Sequence, residues 1–75
     1  MKTCMIRLST IQDVRTLVDI VTAAGTEVDL SSGRYVVDAK SIMGIFSLDL
    51  MNPIQLTAHS EDPALFEKLK PFIVG

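Results

Sequence analysis

The sequence predicts an α+β domain in which three helices cover one face of a four-stranded antiparallel sheet, in the order β-α-β-β-α-β-α. Three observations lead to this prediction. Short runs that alternate apolar and polar residues indicate strands with one buried face. Segments whose apolar residues recur every three or four positions indicate helices with one buried stripe. Gly, Pro and Asn stand between these segments, where turns are expected.

The length and composition limit the classes of protein to consider. With 75 residues, of which 48% are hydrophobic, the chain is expected to form a single domain over residues 1–75. The net charge is −2 and the seven Lys and Arg residues are scattered, so direct binding to nucleic acid is not expected. No apolar run approaches the roughly 20 residues that span a bilayer.

The single cysteine, Cys4, excludes an internal disulfide bond. The chain has no Cys/His cluster spaced as metal ligands are, so neither a metal nor a cofactor is expected. A reducing, cytoplasmic location fits this cysteine usage.

The first strand is predicted over residues 3–8, where Cys4, Ile6 and Leu8 share one face. A helix follows, with Asp13 as its predicted N-cap and Gly25 as its stop. The apolar stripe of this helix comprises Val14, Leu17, Val18, Val21 and Ala24.

A β-hairpin is predicted next, because two β-prone runs, 26–31 and 34–39, flank Ser32-Gly33. The run 40–50, KSIMGIFSLDL, is predicted to be a short helix with Ser41 as its N-cap. After Asn52-Pro53, residues 54–58 form the fourth strand. Asp62-Pro63 opens the last helix, which Pro71 ends or bends.

The short helix carries more large apolar residues than one buried stripe can hold. Ile45 and Leu48 are predicted to face the core. Ile42, Met43 and Phe46 lie on a neighbouring face, where they are predicted to form an exposed apolar surface. The alternative is that these three residues belong to the core.

The element order and the string Lys40-Ser41-Ile42-Met43-Gly44, followed by Ser47-Leu48, resemble HPr. HPr is the histidine-containing phosphocarrier of the bacterial sugar phosphotransferase system. The resemblance covers nearly the whole chain and implies the HPr-like open-faced sandwich. It also implies that the positions of Ile42, Met43 and Phe46 bind protein partners.

Two chemical features of HPr can be sought in this sequence. The serine of KSIMG, here Ser41, is phosphorylated by a dedicated kinase in many Gram-positive bacteria. The phosphate-accepting histidine at the start of the first helix is absent. Counting from Lys2, Asp13 falls at that position, whereas a shift of one residue places Gln12 there.

Two interpretations remain open for Asp13 and two for Arg15. Asp13 either caps the helix or forms an acyl phosphate. Arg15, at the position of the family's arginine, either is a retained phosphate clamp or is balanced by Asp19. The only histidine, His59, is expected at the far end of the last strand, as a surface residue without a role.

Together these observations predict a regulatory or adaptor protein rather than an enzyme. It is related to the phosphoenolpyruvate-dependent sugar phosphotransferase system, lacks phosphohistidine carrier activity and is switched by phosphorylation at Ser41. The catabolite-repression paralogue Crh, which also lacks the histidine, is comparable. The expected partners are an HPr-type kinase, a transcriptional regulator or sugar-system enzymes. The alternatives are a phosphoryl-transfer component and a diverged domain with an unrelated partner.

Overall fold

The structure, a computed structural model, describes residues 1–74 and confirms the predicted fold class and element order. The described chain forms one four-stranded antiparallel sheet together with three α-helices. The elements are β1 (Lys2–Ile6), α1 (Ile11–Ala24), β2 (Val28–Ser32), β3 (Tyr35–Asp38), α2 (Ile42–Phe46), β4 (Ile54–Ala58), α3 (Pro63–Leu69) and a 3-10 turn (Lys70–Phe72).

The strands lie in the order β1-β4-β2-β3, so the last strand in sequence lies between the first and the second. On β4, Leu56 is opposite Cys4 of β1 and Leu30 of β2. Leu56 and Leu30 are fully buried, whereas the neighbouring Gln55 is exposed. The sheet therefore has one face against the core and one open face, as the alternating pattern predicts.

The β2–β3 hairpin turns at Gly33-Arg34, one residue later than predicted. Gly33 has φ +60, a conformation that glycine adopts without the steric cost of a Cβ atom. Ser32 and Tyr35 pair directly on either side of this two-residue turn.

The hydrophobic core takes alternate residues of the strands and one stripe of each helix. Strand β1 ends at Ile6 rather than at Leu8, although the Leu8 side chain is buried as expected. Ala24 is exposed, so the buried stripe of α1 is one turn shorter than predicted. The core residues are Ile6, Leu8, Val14, Leu17, Val21, Val28, Leu30, Ala39, Ile45, Leu48, Ile54, Leu56, Ala58, Leu65, Phe66, Leu69 and Phe72.

The C-terminal segment covers the outer edge of β1. Helix α3 begins with Asp62 as N-cap and Pro63 at the first position, as predicted, and ends before the 3-10 turn that contains Pro71. The chain then runs beside β1, where the Val74 amide donates to the Met5 carbonyl at 2.9 Å and Ile73 forms a bridge with Ile6.

Candidate functional site

Ser41 is the N-cap of α2, as predicted. Its hydroxyl accepts a hydrogen bond from the Gly44 amide at 3.1 Å. The preceding turn is fixed by Asp38, whose carbonyl accepts from the Ser41 amide at 2.9 Å and whose carboxylate accepts from the Lys40 amide at 2.8 Å. Ser41 is exposed, so its side chain is open to solvent at the start of the helix.

Gly44 sets how closely α2 approaches β3. A Cβ atom at this position would lie 3.1 Å from Ser41 Oγ and 3.2 Å from the Cβ atom of Val37. Both distances are shorter than ordinary van der Waals contacts, so an alanine here requires its neighbours to shift. The glycine in the KSIMG string therefore keeps Ser41 and the helix that follows close to the sheet.

The apolar residues of α2 divide between core and surface as predicted. Ile45 is fully buried and Leu48 is 6% exposed, whereas Met43 is 84%, Phe46 44% and Ile42 38% exposed. The alternative in which all three outer residues belong to the core is wrong. We call Ile42, Met43 and Phe46 the α2 surface.

Sequence reasoning missed Met51, an exposed residue in the loop after α2. Its side chain is 81% exposed, and its backbone is fixed on both sides. The Asp49 carboxylate accepts from the Met51 amide at 3.0 Å, and the Arg7 guanidinium donates to the Met51 carbonyl at 3.2 Å. The turn-forming Asp49 and Asn52 indicate this ordered loop in the sequence, but the contact with Arg7 is not visible there.

Helix α1 begins at Ile11, with Thr10 rather than Asp13 as its N-cap. Thr10 is the N-cap, and its hydroxyl accepts from the Asp13 amide at 3.0 Å. Asp13 lies in the first turn, where its carboxylate accepts from the amides of Ser9 at 2.9 Å and Thr10 at 3.1 Å. The prediction of Asp13 as N-cap is therefore wrong, and its carboxylate instead completes a capping box.

Gln12 and Arg15 are the other residues at the start of α1 that the sequence singles out. The Gln12 side-chain amide donates to the Thr16 hydroxyl at 3.3 Å. Arg15 lies in the second turn and is exposed. Among residues 1–74, no salt bridge joins Arg15 to Asp19.

His59 follows the end of β4, where Ala58 pairs with Lys2 at the start of β1. Helix α1 follows the opposite end of β1, so the structure confirms that His59 lies far from the start of α1. Its Nε2 atom lies 3.1 Å from the Asp29 carboxylate, a contact that sequence reasoning did not predict.

Cys4 lies on the core-facing side of β1 and is half-buried. Burial raises the pKa of the Cys4 thiol above its ordinary value of 9.0, and the nearby Lys2 charge opposes this effect. The thiol is therefore less easily ionised than a free cysteine.

No group of three or more His, Cys, Asp and Glu residues in the described part of the chain is arranged to hold a metal ion. The surface of residues 1–74 contains no pocket. No helix within this range has the length and apolar character required to cross a membrane.

A scan against protein-family models and a search of curated proteins each returned no match. Among solved structures, the chain is similar to the crystal structure of HPr-C-His from Thermoanaerobacter tengcongensis. The sequence identity is 24% and the TM-score is 0.79, over 95% of this chain and 89% of that chain. This likeness establishes an HPr-like fold, the open-faced sandwich that the sequence predicts.

Proposed function

We propose that this chain is an HPr-like regulatory or adaptor protein of the phosphoenolpyruvate-dependent sugar phosphotransferase system, and not an enzyme. It binds protein partners through the α2 surface, is switched by phosphorylation at Ser41, and carries no phosphoryl group on a histidine. The observation that carries the proposal is the exposed apolar surface directly beside the Ser41 hydroxyl.

The α2 surface has the properties of a protein-binding site. Exposed apolar residues that are clustered on one element mark interaction surfaces more often than scattered ones do. Met43 extends almost entirely into solvent, and its flexible thioether can adapt to partners of different shape. Ile45 anchors the same helix in the core, so the surface is presented on a fixed support.

A phosphate at Ser41 would change which partners this surface accepts. It carries about −1.5 to −2 charges at neutral pH. A partner that buries Met43 or Phe46 must then either desolvate that charge or offer an arginine to it. Phosphorylation therefore favours partners with basic groups and rejects those with acidic or purely apolar ones.

The start of α1 supports the absence of a carrier function. In HPr, as the resemblance implies, a histidine there accepts phosphate with help from the helix N-terminus. Here the Asp13 carboxylate already accepts from the Ser9 and Thr10 amides, so an anion would have to compete with an internal negative charge. The only histidine in the sequence, His59, contacts Asp29 at another end of the sheet.

The test uses purified candidate partners: an HPr-type kinase, the general upstream enzyme of the sugar system and a catabolite regulator. Kinase and ATP are expected to place one phosphate on Ser41, located by mass spectrometry and lost in Ser41→Ala. Binding by calorimetry should weaken at least tenfold in Phe46→Ala and change after phosphorylation. Val74→Ala, which shortens another exposed apolar residue on a distant segment, is the matched control.

Two results would contradict the proposal. One is that Phe46→Ala and Val74→Ala weaken partner binding equally, because the α2 surface would then have no special role. The other is the absence of any interaction between this chain and all three purified proteins, both before and after kinase treatment.

A further inference from the structure

We propose that two copies of this chain associate through the free edge of β3, which joins their sheets about a two-fold axis at Val36. The two edges of the sheet differ. The C-terminal segment pairs with the β1 edge at Met5, Ile6 and Arg7, whereas no segment of residues 1–74 pairs with the outer side of β3. An uncovered strand edge offers backbone donors and acceptors to another chain.

The register of the hairpin shows which backbone groups of β3 point outward. Ser32 and Tyr35 flank a two-residue turn, so they form a hydrogen-bonded pair, and such pairs alternate along an antiparallel ladder. Tyr35 and Val37 therefore face β2, while the N–H and C=O groups of Val36 face outward. Two copies that meet at Val36 can exchange two backbone hydrogen bonds across the axis.

In that register, the β3 side chains of one copy complement those of the second copy. With Val36 opposite Val36 of the second copy, Tyr35 lies opposite Val37, and Arg34 lies opposite Asp38. Directly opposite residues share a face and interact. A register shifted by one residue would bring open-face residues opposite core-face residues, which the two-residue period of strands disfavours.

The charges of the single copy favour this arrangement. Within residues 1–74 neither Arg34 nor Asp38 takes part in a salt bridge. Asp38 lies opposite Asp29 on β2, an unfavourable pairing of like charges. His59 Nε2 lies 3.1 Å from the Asp29 carboxylate, whereas no basic side chain within residues 1–74 forms a salt bridge with Asp38. An Arg34 side chain from a second copy would supply the missing positive charge twice, once on each side of the axis.

Two exposed apolar side chains would also be covered. Tyr35 is 69% and Val36 is 66% exposed in the single copy. An extended peptide from another protein could use the same edge, but the opposite charges at its two ends make the edge complementary to itself. The second copy is therefore the occupant that the structure favours.

Charge reversal followed by mixing tests this proposal. Arg34→Asp places two aspartates opposite each other across the axis on both sides, and Asp38→Arg places two arginines opposite each other. Each variant is expected to remain monomeric where the wild type doubles its mass in sedimentation experiments. An equimolar mixture of the two restores both opposite-charge pairs, so it should recover the dimer.

A local measurement identifies the edge involved. The Val36 amide should exchange slowly with solvent only at concentrations where the dimer forms. Val36→Pro, which removes this outward N–H without removing a bond to β2, should abolish association while circular dichroism stays unchanged. Met43→Ala alters the α2 surface and should leave association intact. A wild type that stays monomeric at millimolar concentration, reversed variants that still dimerise, or a dimer lost in Met43→Ala would overturn the proposal.

Discussion

The Asp13 carboxylate accepts two backbone hydrogen bonds at the start of α1, from the amides of Ser9 and Thr10. Replacing it with alanine is therefore expected to cost about 0.5–2 kcal/mol of unfolding free energy, the usual range for a lost cap. Asp13→Asn keeps one side-chain oxygen as acceptor and should cost less. Denaturant unfolding monitored by circular dichroism measures both changes.

The same variants separate a capping role from a binding role. If Asp13 only stabilises the helix, Asp13→Ala should leave partner binding unchanged at temperatures where the protein is folded. A variant with wild-type stability and lost binding would instead make Asp13 part of the interaction site.

Cys4 gives a pH-dependent prediction at the level of one residue. Burial holds the pKa of its thiol above the value in the unfolded chain, so the folded state favours the protonated form. This contribution to stability is complete below the unfolded-state pKa and is lost as pH rises through the higher folded-state pKa. Unfolding free energies measured from pH 8 to 10.5 should therefore fall more steeply for the wild type than for Cys4→Ala. Equal slopes for the two proteins would contradict it.

At the scale of one element, α2 should tolerate changes on one face and not on the other. Ile45→Ala empties a fully buried position and is expected to cost about 2–5 kcal/mol. Phe46 is 44% exposed, so Phe46→Ala should cost well below the 3–5 kcal/mol typical of a buried phenylalanine. Thermal and denaturant unfolding of both variants gives the comparison. A larger loss for Phe46→Ala than for Ile45→Ala would place Phe46 in the core.

The elements differ in how well local sequence predicts them. Ser41 as the cap of α2 and Asp62-Pro63 at the start of α3 were predicted correctly, because Ile42 begins the apolar residues directly after Ser41 and Pro63 marks the first helical position after Asp62. The start of α1 was misplaced because Thr10 and Asp13 both suit a cap, and only their reciprocal hydrogen bonds decide between them.

At the scale of the whole molecule, the fold was predictable because the two central strands, β2 and β4, show a two-residue period and every helix has an apolar stripe. Contacts between residues far apart in sequence were not. His59 meets Asp29 because β4 lies beside β2, and Arg7 reaches the Met51 carbonyl because the loops before α1 and after α2 lie at one end of the sheet. Neither pair leaves a local pattern, so these two contacts could be recognised only in the folded chain.

The arrangement of the whole chain also predicts its behaviour in a phosphorelay. Phosphoenolpyruvate with the general upstream enzyme of the sugar system should leave no stable phosphoryl group on this protein. His59 lies at the far end of the sheet from the start of α1, and the Asp13 carboxylate accepts from the amides of Ser9 and Thr10. Mass spectrometry after the incubation, with His59→Ala as control, provides the measurement. An acid-labile phosphate on His59, or a hydroxylamine-sensitive one on residues 10–20, would contradict this prediction.

Variants that introduce a histidine at the start of α1 extend the same test. If phosphate acceptance requires only an imidazole there, these variants should accept phosphate. Thr10→His places the imidazole at the N-cap that the structure defines, and adding Asp13→Ala frees the two occupied amides. Asp13→His places it in the first turn, at the position counted from Lys2. Both variants free the amides of Ser9 and Thr10, but only Thr10→His also frees the backbone amide of residue 13 from the Thr10 hydroxyl. The double variant is therefore expected to accept more phosphate than Asp13→His, because the helix N-terminus stabilises an anion best where its amides are unpaired. If Asp13→His is the better acceptor, the position counted from the sequence, rather than the helix start, governs the chemistry.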